Sequence, residues 1–154
     1  MNYDVWGSWS PNVGPNAPLN DSCSPPSDQQ GSAVSAVRTW FEAGMPFDQM
    51  ILGVAAYGHS FSVTPSNALN ASGKLNLNPT FNKANQPAGD KWDSTASGVD
   101  ACGNPNVVGG IFTFWGMIYA GFLEDNGAPS CGIHHGFDEC SKTVRALHTH
   151  RNCG

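Results

Sequence analysis

The 154-residue chain has little charge, and this limits the partners and folds open to it. Charged residues make up 12% of the sequence, about half of the usual quarter, and only seven residues are Lys or Arg. With a net charge of -5 and no basic stripe, the chain lacks the surface that nucleic acids require. Hydrophobic residues still reach 40%, so neither disorder nor a coiled coil fits. An acidic, loop-rich and aromatic-rich chain instead suits neutral polar ligands.

The chain also lacks a signal peptide after Met1 and a convincing membrane span. One uncharged run, residues 107–123, has 17 residues with four glycines and no flanking Lys or Arg. This length is at the lower limit for a spanning helix, so a buried strand, turn and helix is the preferred interpretation. We therefore expect no membrane partner.

Five cysteines and two Asn-x-Ser sequons, at Asn20 and Asn70, favour a secreted origin with disulfides. A composition typical of secreted proteins conflicts with the lack of a signal peptide. We therefore expect that Met1 is not the natural start, and that the parent protein is extracellular.

The pattern of residues 1–57 predicts one βαβ unit. Residues 1–6 favour a strand, and residues 31–44 carry apolar side chains at helical spacing before Gly44 and Pro46 end the helix. Residues 50–57 form a continuous apolar run, which is typical of a parallel strand covered on both faces.

Polar groups and rings follow both predicted strands. Asp4 and Trp6 stand at the carboxyl end of the first strand, and Tyr57 and His59 at that of the second. Ligands gather at this edge of βαβ units, so a binding site is one interpretation. The other interpretation is that these side chains only satisfy the hydrogen-bonding groups of loops and cap the core.

Cysteine and histidine are concentrated in the carboxy-terminal part without the paired spacing of a zinc site. The residues are Cys131, His134, His135, Cys140, His148, His150 and Cys153. A loop disulfide between Cys131 and Cys140 explains the first cluster better than a metal. The sequence has no Gly-x-Ser-x-Gly elbow, no phosphate-binding glycine loop and no acidic pair placed as a general acid.

An ordered set of motifs resembles the fungal-type chitinases of glycoside hydrolase family 18. The motifs are MNYD at 1–4, GSW at 7–9, NAPL at 16–19, ILGV at 51–54, AYGHSF at 56–61, GGIFTFWG at 109–116 and FDECSK at 137–142. The resemblance implies an α/β fold: the strand 6–helix 6–strand 7 region of a (β/α)8 TIM barrel, with most of a small α+β insertion domain. Residues 1–61 would belong to the barrel, residues 62–143 to the insertion domain, and residues 144–154 to an atypical tail.

The resemblance implies retaining, substrate-assisted hydrolysis of the β-1,4-N-acetylglucosamine linkages of chitin by the parent protein. The family carries its acids in a D-x-x-D-x-D-x-E pattern, which this sequence lacks. We therefore expect no catalytic residue here and an inactive isolated chain. The alternatives are a non-catalytic chitin-binding protein and a non-functional fragment. The expected partner is chitin or its oligosaccharides, bound by a monomer that needs no cofactor or metal.

By the same resemblance, six side chains bind the sugar: Met1, Tyr3, Asp4, Trp6, Tyr57 and His59. Tyr3 would hydrogen-bond the acetamido carbonyl, Asp4 would hold a sugar hydroxyl or amide, and Met1 would pack beneath the reacting sugar. Tyr57 would line the cleft. His59 stands where many members have arginine, and Trp6, where histidine is common, would stack on a pyranose ring.

The resemblance also bears on the ends and the cysteines. The sixth-strand methionine is internal in the family, so we expect a truncated gene product that begins halfway through the barrel. Residues 144–154 depart from the family and are expected to be out of frame. Cys153 would then be the odd cysteine, and of the three possible pairings of the other four cysteines, Cys23–Cys102 with Cys131–Cys140 is the favoured one.

Overall fold

The computed structural model describes residues 1–93 and 98–148, in which the helices and strands are short. The helices are α1 (Ala33–Glu42), α2 (Pro65–Ala68) and α3 (Phe114–Tyr119). The strands are β1 (Tyr57–His59), β2 (Ile111–Thr113), β3 (Ile133–Asp138) and β4 (Thr143–His148). Long loops join these elements, as a chain with 18 Gly and 11 Pro residues leads one to expect.

The described strands form two antiparallel pairs. β1 pairs with β2, with Tyr57 opposite Thr113 and His59 opposite Ile111. β3 pairs with β4 as a hairpin, from Ile133 opposite His148 to Asp138 opposite Thr143. The first pair is the one that matters for the site, because it carries both Tyr57 and His59.

The parallel pairing predicted between residues 1–6 and 50–57 is present as one bridge, between Asn2 and Val54. The prediction that the second strand is covered on both faces is wrong for the described residues, since Ile51 is 96% and Val54 75% exposed. A continuous apolar run becomes buried only where a packed layer lies on each face. Neither side chain has such a layer here.

Helix α1 confirms the helix predicted for residues 31–44. The Ser32 hydroxyl accepts from the Ser35 amide at 3.2 Å, and the Ser35 hydroxyl accepts from the Ser32 amide at 2.8 Å. This reciprocal capping satisfies two amides that the first turn leaves free. Beyond the helix, Gly44 has a φ of +96°, which glycine adopts without steric strain, so the chain turns there.

A strand followed by a helix is confirmed within residues 107–123, as β2 and α3. The Thr113 hydroxyl accepts from the Gly116 amide at 3.0 Å and so caps α3. The segment is half-buried rather than buried, because Trp115 and Tyr119 face solvent. No helix in the described part of the chain combines the length and the apolar character needed to cross a membrane.

Both predicted disulfide pairs are wrong. Cys23 bonds to Cys140, with their Cα atoms 5.7 Å apart, and Cys102 is free and exposed. Cys131 is disulfide-bonded, but Cys140 is not its partner. Cys131 and Cys140 flank strand β3, whose extended residues span about 20 Å, whereas the Cα atoms of a disulfide lie within about 7 Å.

Strand pairing crosses the boundaries predicted at residues 61 and 143. β1 precedes the first boundary and β2 follows it, yet they share a sheet. β4 crosses the second boundary, so residues 144–148 of the predicted tail belong to the β3–β4 hairpin. His150 and Cys153 lie outside the described residues, within which no cluster of three metal-binding side chains occurs. The division into three segments stays a prediction.

Candidate functional site

Three predicted site residues converge on one carboxylate oxygen. The Tyr57 hydroxyl donates to Asp4 Oδ1 at 2.7 Å, and His59 Nε2 lies 2.9 Å from the same oxygen. A carboxylate accepts hydrogen bonds, so His59 donates from Nε2. The Asp4 side chain is 46% exposed and that of His59 only 9%. None of the described residues donates to Asp4 Oδ2, so this oxygen is available to a ligand.

The backbone of Asp4 has an uncommon conformation, with a φ of +57°. Its amide donates to Asn16 Oδ1 at 2.8 Å, and Asn16 Nδ2 donates to the Tyr57 carbonyl at 2.9 Å. Non-glycine residues in this region recur at functional sites, where the surroundings hold them in place. Sequence analysis missed the role of Asn16, because Asn in a Pro-rich loop ordinarily signals only a turn.

Aromatic rings surround the cluster. The Tyr3 and Tyr57 rings pack edge to face with centroids 6.2 Å apart, and Trp9 packs against the His59 ring at 5.8 Å. The indole of Trp9 folds over Gly7, where a Cβ would overlap it. Trp9 remains 60% exposed and presents an apolar surface beside the charged oxygen.

The hydrogen bonds determine the protonation states of the cluster. Burial alone would raise the pKa of Asp4, but the hydrogen bonds from Tyr57 and His59, with the charge of His59, outweigh it and lower the pKa. Burial, followed by the hydrogen bond to Asp4 and its charge, raises the pKa of Tyr57 to about 12. Near neutral pH, Asp4 is therefore an ionised acceptor and Tyr57 a protonated donor.

Tyr57→Phe should remove a step at high pH, the late step, from the titration of the protein's tyrosines. Ultraviolet absorbance of wild-type tyrosinate should include a step near pH 12 that the variant lacks. Because the folded-state pKa is raised, this contribution to stability is complete below the unfolded value of about 10 and is lost as pH rises through about 12. The contribution of Asp4 has the opposite pH dependence, because its folded-state pKa is lowered: it is complete above the ordinary Asp value of about 3.9 and is lost as pH falls below that value.

Tyr119→Phe is the control for this titration, since Tyr119 lies on α3, exposed and away from Asp4. It should leave the late step unchanged, and circular dichroism should show that the protein is folded over the range used. Survival of the step in Tyr57→Phe would show that Tyr57 is not the late-titrating group.

Two residues predicted to bind sugar are not in the site. Trp6 is 1% exposed, and a Cβ at Gly14 would overlap its indole, so Trp6 is core and cannot stack on a pyranose. Met1 is 92% exposed, so its side chain lies in solvent and does not pack beneath any group of the described residues. Trp9 supplies the exposed indole that was expected from Trp6. A pattern of alternating residues could not show this, because the chain turns sharply after the left-handed Asp4.

The two aspartates at residues 90 and 93 hold a loop to β2. Asp90 Oδ2 accepts from both the amide and the hydroxyl of Thr113 at 2.7 Å, and the hydrogen bond from that hydroxyl lowers the pKa of Asp90. Asp93 Oδ2 accepts from the Gly110 amide, also at 2.7 Å. These carboxylates therefore order the strand that pairs with β1.

Both sequon asparagines use their amide oxygens in turns. Asn20 Oδ1 accepts from the Asp21 amide at 2.9 Å, and Asn70 Oδ1 accepts from the amides of Ser72 and Lys74. Glycosylation at either asparagine stays a prediction.

The chain is similar to known proteins in sequence and in structure. Residues 1–111 match the family described as glycosyl hydrolases family 18. A chitinase-like effector of Moniliophthora roreri is 56% identical over 145 residues, which cover 93% of this chain and 35% of that protein. The crystal structure of a chitinase (RmChi1) from Rhizomucor miehei superposes with a TM-score of 0.77 at 30% identity, over 96% of this chain and 38% of that chain.

A more distant neighbour has the same fold. Human YKL-39, described as a pseudo-chitinase with retained chitooligosaccharide binding properties, superposes with a TM-score of 0.62 at 17% identity, over 97% of this chain and 33% of that one. The chain therefore spans about a third of the length of the relatives it matches.

Proposed function

Because the chain belongs to glycosyl hydrolase family 18, we propose that it binds chitin-type oligosaccharides at the Asp4–Tyr57–His59 cluster without hydrolysing them. The observation that carries this proposal is the carboxylate of Asp4. One of its oxygens is held by Tyr57 and His59, and the other has no donor among the described residues, in a side chain that is 46% exposed. Such an oxygen can accept a charge-assisted hydrogen bond from a sugar hydroxyl or from an acetamido N–H.

The rings beside Asp4 fit the rest of such a ligand. An N-acetylglucosamine unit has polar edges and an apolar ring face and is uncharged. The exposed indole of Trp9 offers a flat apolar surface to that face. Tyr3 packs edge to face against Tyr57 and adds a second aromatic ring beside the cluster. A neutral ligand also agrees with a chain of net charge -5 that has few cations.

The chemistry of the cluster favours binding over hydrolysis. Glycoside hydrolysis needs a group that gives a proton to the leaving oxygen. A pKa of about 12 leaves Tyr57 a poor acid at neutral pH, and the lowered pKa of Asp4 leaves that carboxyl without a proton. The D-x-x-D-x-D-x-E pattern is absent from the sequence. The effector and pseudo-chitinase relatives support the same proposal.

A second candidate is the family's own reaction, retaining and substrate-assisted hydrolysis of chitin. The likeness to the Rhizomucor miehei chitinase favours it. On this proposal residues 1–61 form the strand 6–helix 6–strand 7 part of a (β/α)8 barrel. The parallel bridge between Asn2 and Val54, with α1 between the two bridged segments, supports that assignment. The proton donor would then have to come from residues that this chain does not contain.

Titration calorimetry with tetramers of N-acetylglucosamine tests the binding proposal, with a glucose tetramer as the control ligand. Asp4→Ala and Tyr57→Phe should each weaken binding by about ten- to a hundredfold, because each removes a hydrogen bond of the charged cluster, worth about 1.5–3 kcal/mol. Asp48→Asn is the control variant, since Asp48 is exposed in the turn after α1.

The same samples show whether the chain itself hydrolyses the ligand. Chromatography of the tetramer after incubation with the wild-type chain should show no shorter oligomers. The site would lose its support if the glucose tetramer bound as tightly as the N-acetylglucosamine tetramer. It would also lose its support if Asp4→Ala left the affinity unchanged. Turnover at a rate typical of chitinases would overturn the proposal that the chain binds without hydrolysing.

A further inference from the structure

We infer that Asn16 is the positioning residue of this site, acting as a substitute for the β-ladder that is missing between Asp4 and Tyr57. It touches no ligand group itself. Instead it fixes the distance between the two chain segments that carry the cluster. The inference rests on the proposed function only in its ligand-binding readout.

The sheet alone does not hold these two segments together. Among the described residues, the bridge between Asn2 and Val54 is their parallel contact, and there the Asn2 amide donates to the Gly53 carbonyl at 3.0 Å. Beyond this bridge Asp4 turns into the left-handed region, and Tyr57 pairs with Thr113 of β2 instead. The Asp4 amide and the Tyr57 carbonyl therefore do not hydrogen-bond to each other as they would in a β-ladder.

The side chain of Asn16 supplies both missing partners. Its Oδ1 accepts from the Asp4 amide at 2.8 Å, and its Nδ2 donates to the Tyr57 carbonyl at 2.9 Å. The carbonyl of Asn16 accepts from the Val5 amide at 3.1 Å, which fixes the loop on the far side of Asp4. A carboxamide has the same donor and acceptor as a peptide group, so it can stand between two strands as a peptide would.

This bridge bears on the geometry of the site. Asp4 Oδ1 must stay within reach of both Tyr57 and His59, which lie 53 and 55 residues away in the sequence. Without Asn16, the left-handed turn at Asp4 loses a hydrogen bond that holds an unfavourable backbone conformation. The carboxylate would then leave Tyr57, and Oδ2 would lose its fixed direction.

Asn16→Ala tests this inference with two readouts on the full chain. The late tyrosinate step should fall below about 12 without reaching the ordinary tyrosine pKa. Burial, the largest cause of the raised Tyr57 pKa, remains, but the hydrogen bond to Asp4 and its charge no longer act on Tyr57. These two effects are larger than the lowering of the pKa by Asn16, which is lost as well. Binding of the N-acetylglucosamine tetramer should weaken about tenfold, which corresponds to about 1.4 kcal/mol.

Asn78→Ala is the matched control, because Asn78 Nδ2 also donates from a loop to a backbone carbonyl, that of Val13 at 3.1 Å. It should leave the tyrosinate step and the affinity unchanged. Asn16→Asp keeps the acceptor for the Asp4 amide but has no donor for the Tyr57 carbonyl. It should therefore have an intermediate affinity, and it is the variant to use if Asn16→Ala does not fold.

The outcomes separate this inference from the proposed function. A wild-type chain that binds no sugar, but whose tyrosinate step still depends on Asn16, would overturn the function and support the positioning role. A step near pH 12 that persists in folded Asn16→Ala would overturn the positioning role. Equal losses in Asn16→Ala and Asn78→Ala would also overturn it, since they would show a general loop effect.

Discussion

Trp6→Ala is expected to lower the free energy of unfolding by about 3–5 kcal/mol, the range for deleting a large buried aromatic side chain. Trp6 is the largest of the fully buried side chains among the described residues, at 1% exposure. It packs on Gly14, so its removal leaves a cavity that the loop cannot close by moving a side chain. Urea denaturation followed by circular dichroism gives the change. A loss of this size is a large share of the roughly 5–15 kcal/mol of a typical domain.

Trp115→Ala is the matched control, because Trp115 is the same residue type at 66% exposure. It should change stability by no more than about 0.5 kcal/mol. Gly14→Ala should also lower the free energy of unfolding, because Gly14 is the other partner in the contact with Trp6. A methyl group at that position overlaps the indole, and overpacking of this kind costs about 1–3 kcal/mol. Similar urea midpoints for Trp6→Ala and Trp115→Ala would show that Trp6 is not core.

Removing the Cys23–Cys140 disulfide should destabilise the chain by about 2–5 kcal/mol. The bond joins residues 117 apart, so its loss frees a long loop in the unfolded state. It also anchors the loop before α1 to the β3–β4 hairpin, where the Leu19 amide donates to the Ser141 carbonyl at 2.9 Å. The double variant Cys23→Ser with Cys140→Ser, compared with wild type in urea without reductant, measures the effect and leaves no new free thiol.

Cys102→Ser is the control for the disulfide, because Cys102 is free and exposed. Its urea midpoint should match that of the wild type. Peptide mapping without reductant provides an independent check, and a peptide that joins Cys23 to Cys102 would falsify the observed pairing. An unchanged midpoint in the double variant would show that the bond does not constrain the unfolded chain.

The spacing of residues along the chain was enough to predict several elements. The resemblance of an ordered set of motifs was enough to predict the family. The helix at residues 31–44 follows from apolar spacing and the stop at Gly44, and its capping by Ser32 agrees with that. The strand and helix within residues 107–123 follow in the same way. The resemblance to family 18 is confirmed by the match over residues 1–111. Such features depend on neighbours a few residues apart, which a sequence displays directly.

The grouping of Asp4, Tyr57 and His59 was also predictable, because strand ends meet at one edge of a sheet. Tertiary structure alone decided that the indole of Trp6 is buried, since the chain turns at the left-handed Asp4. It also decided the role of Asn16 and the partner of Cys23, which depend on contacts 41 and 117 residues apart. Loops bring such residues together, and their paths carry no periodic signal in the sequence. The scarcity of charge pointed to a neutral ligand, but only the folded chain shows an exposed carboxylate with one oxygen held by Tyr57 and His59 and the other without a donor among the described residues.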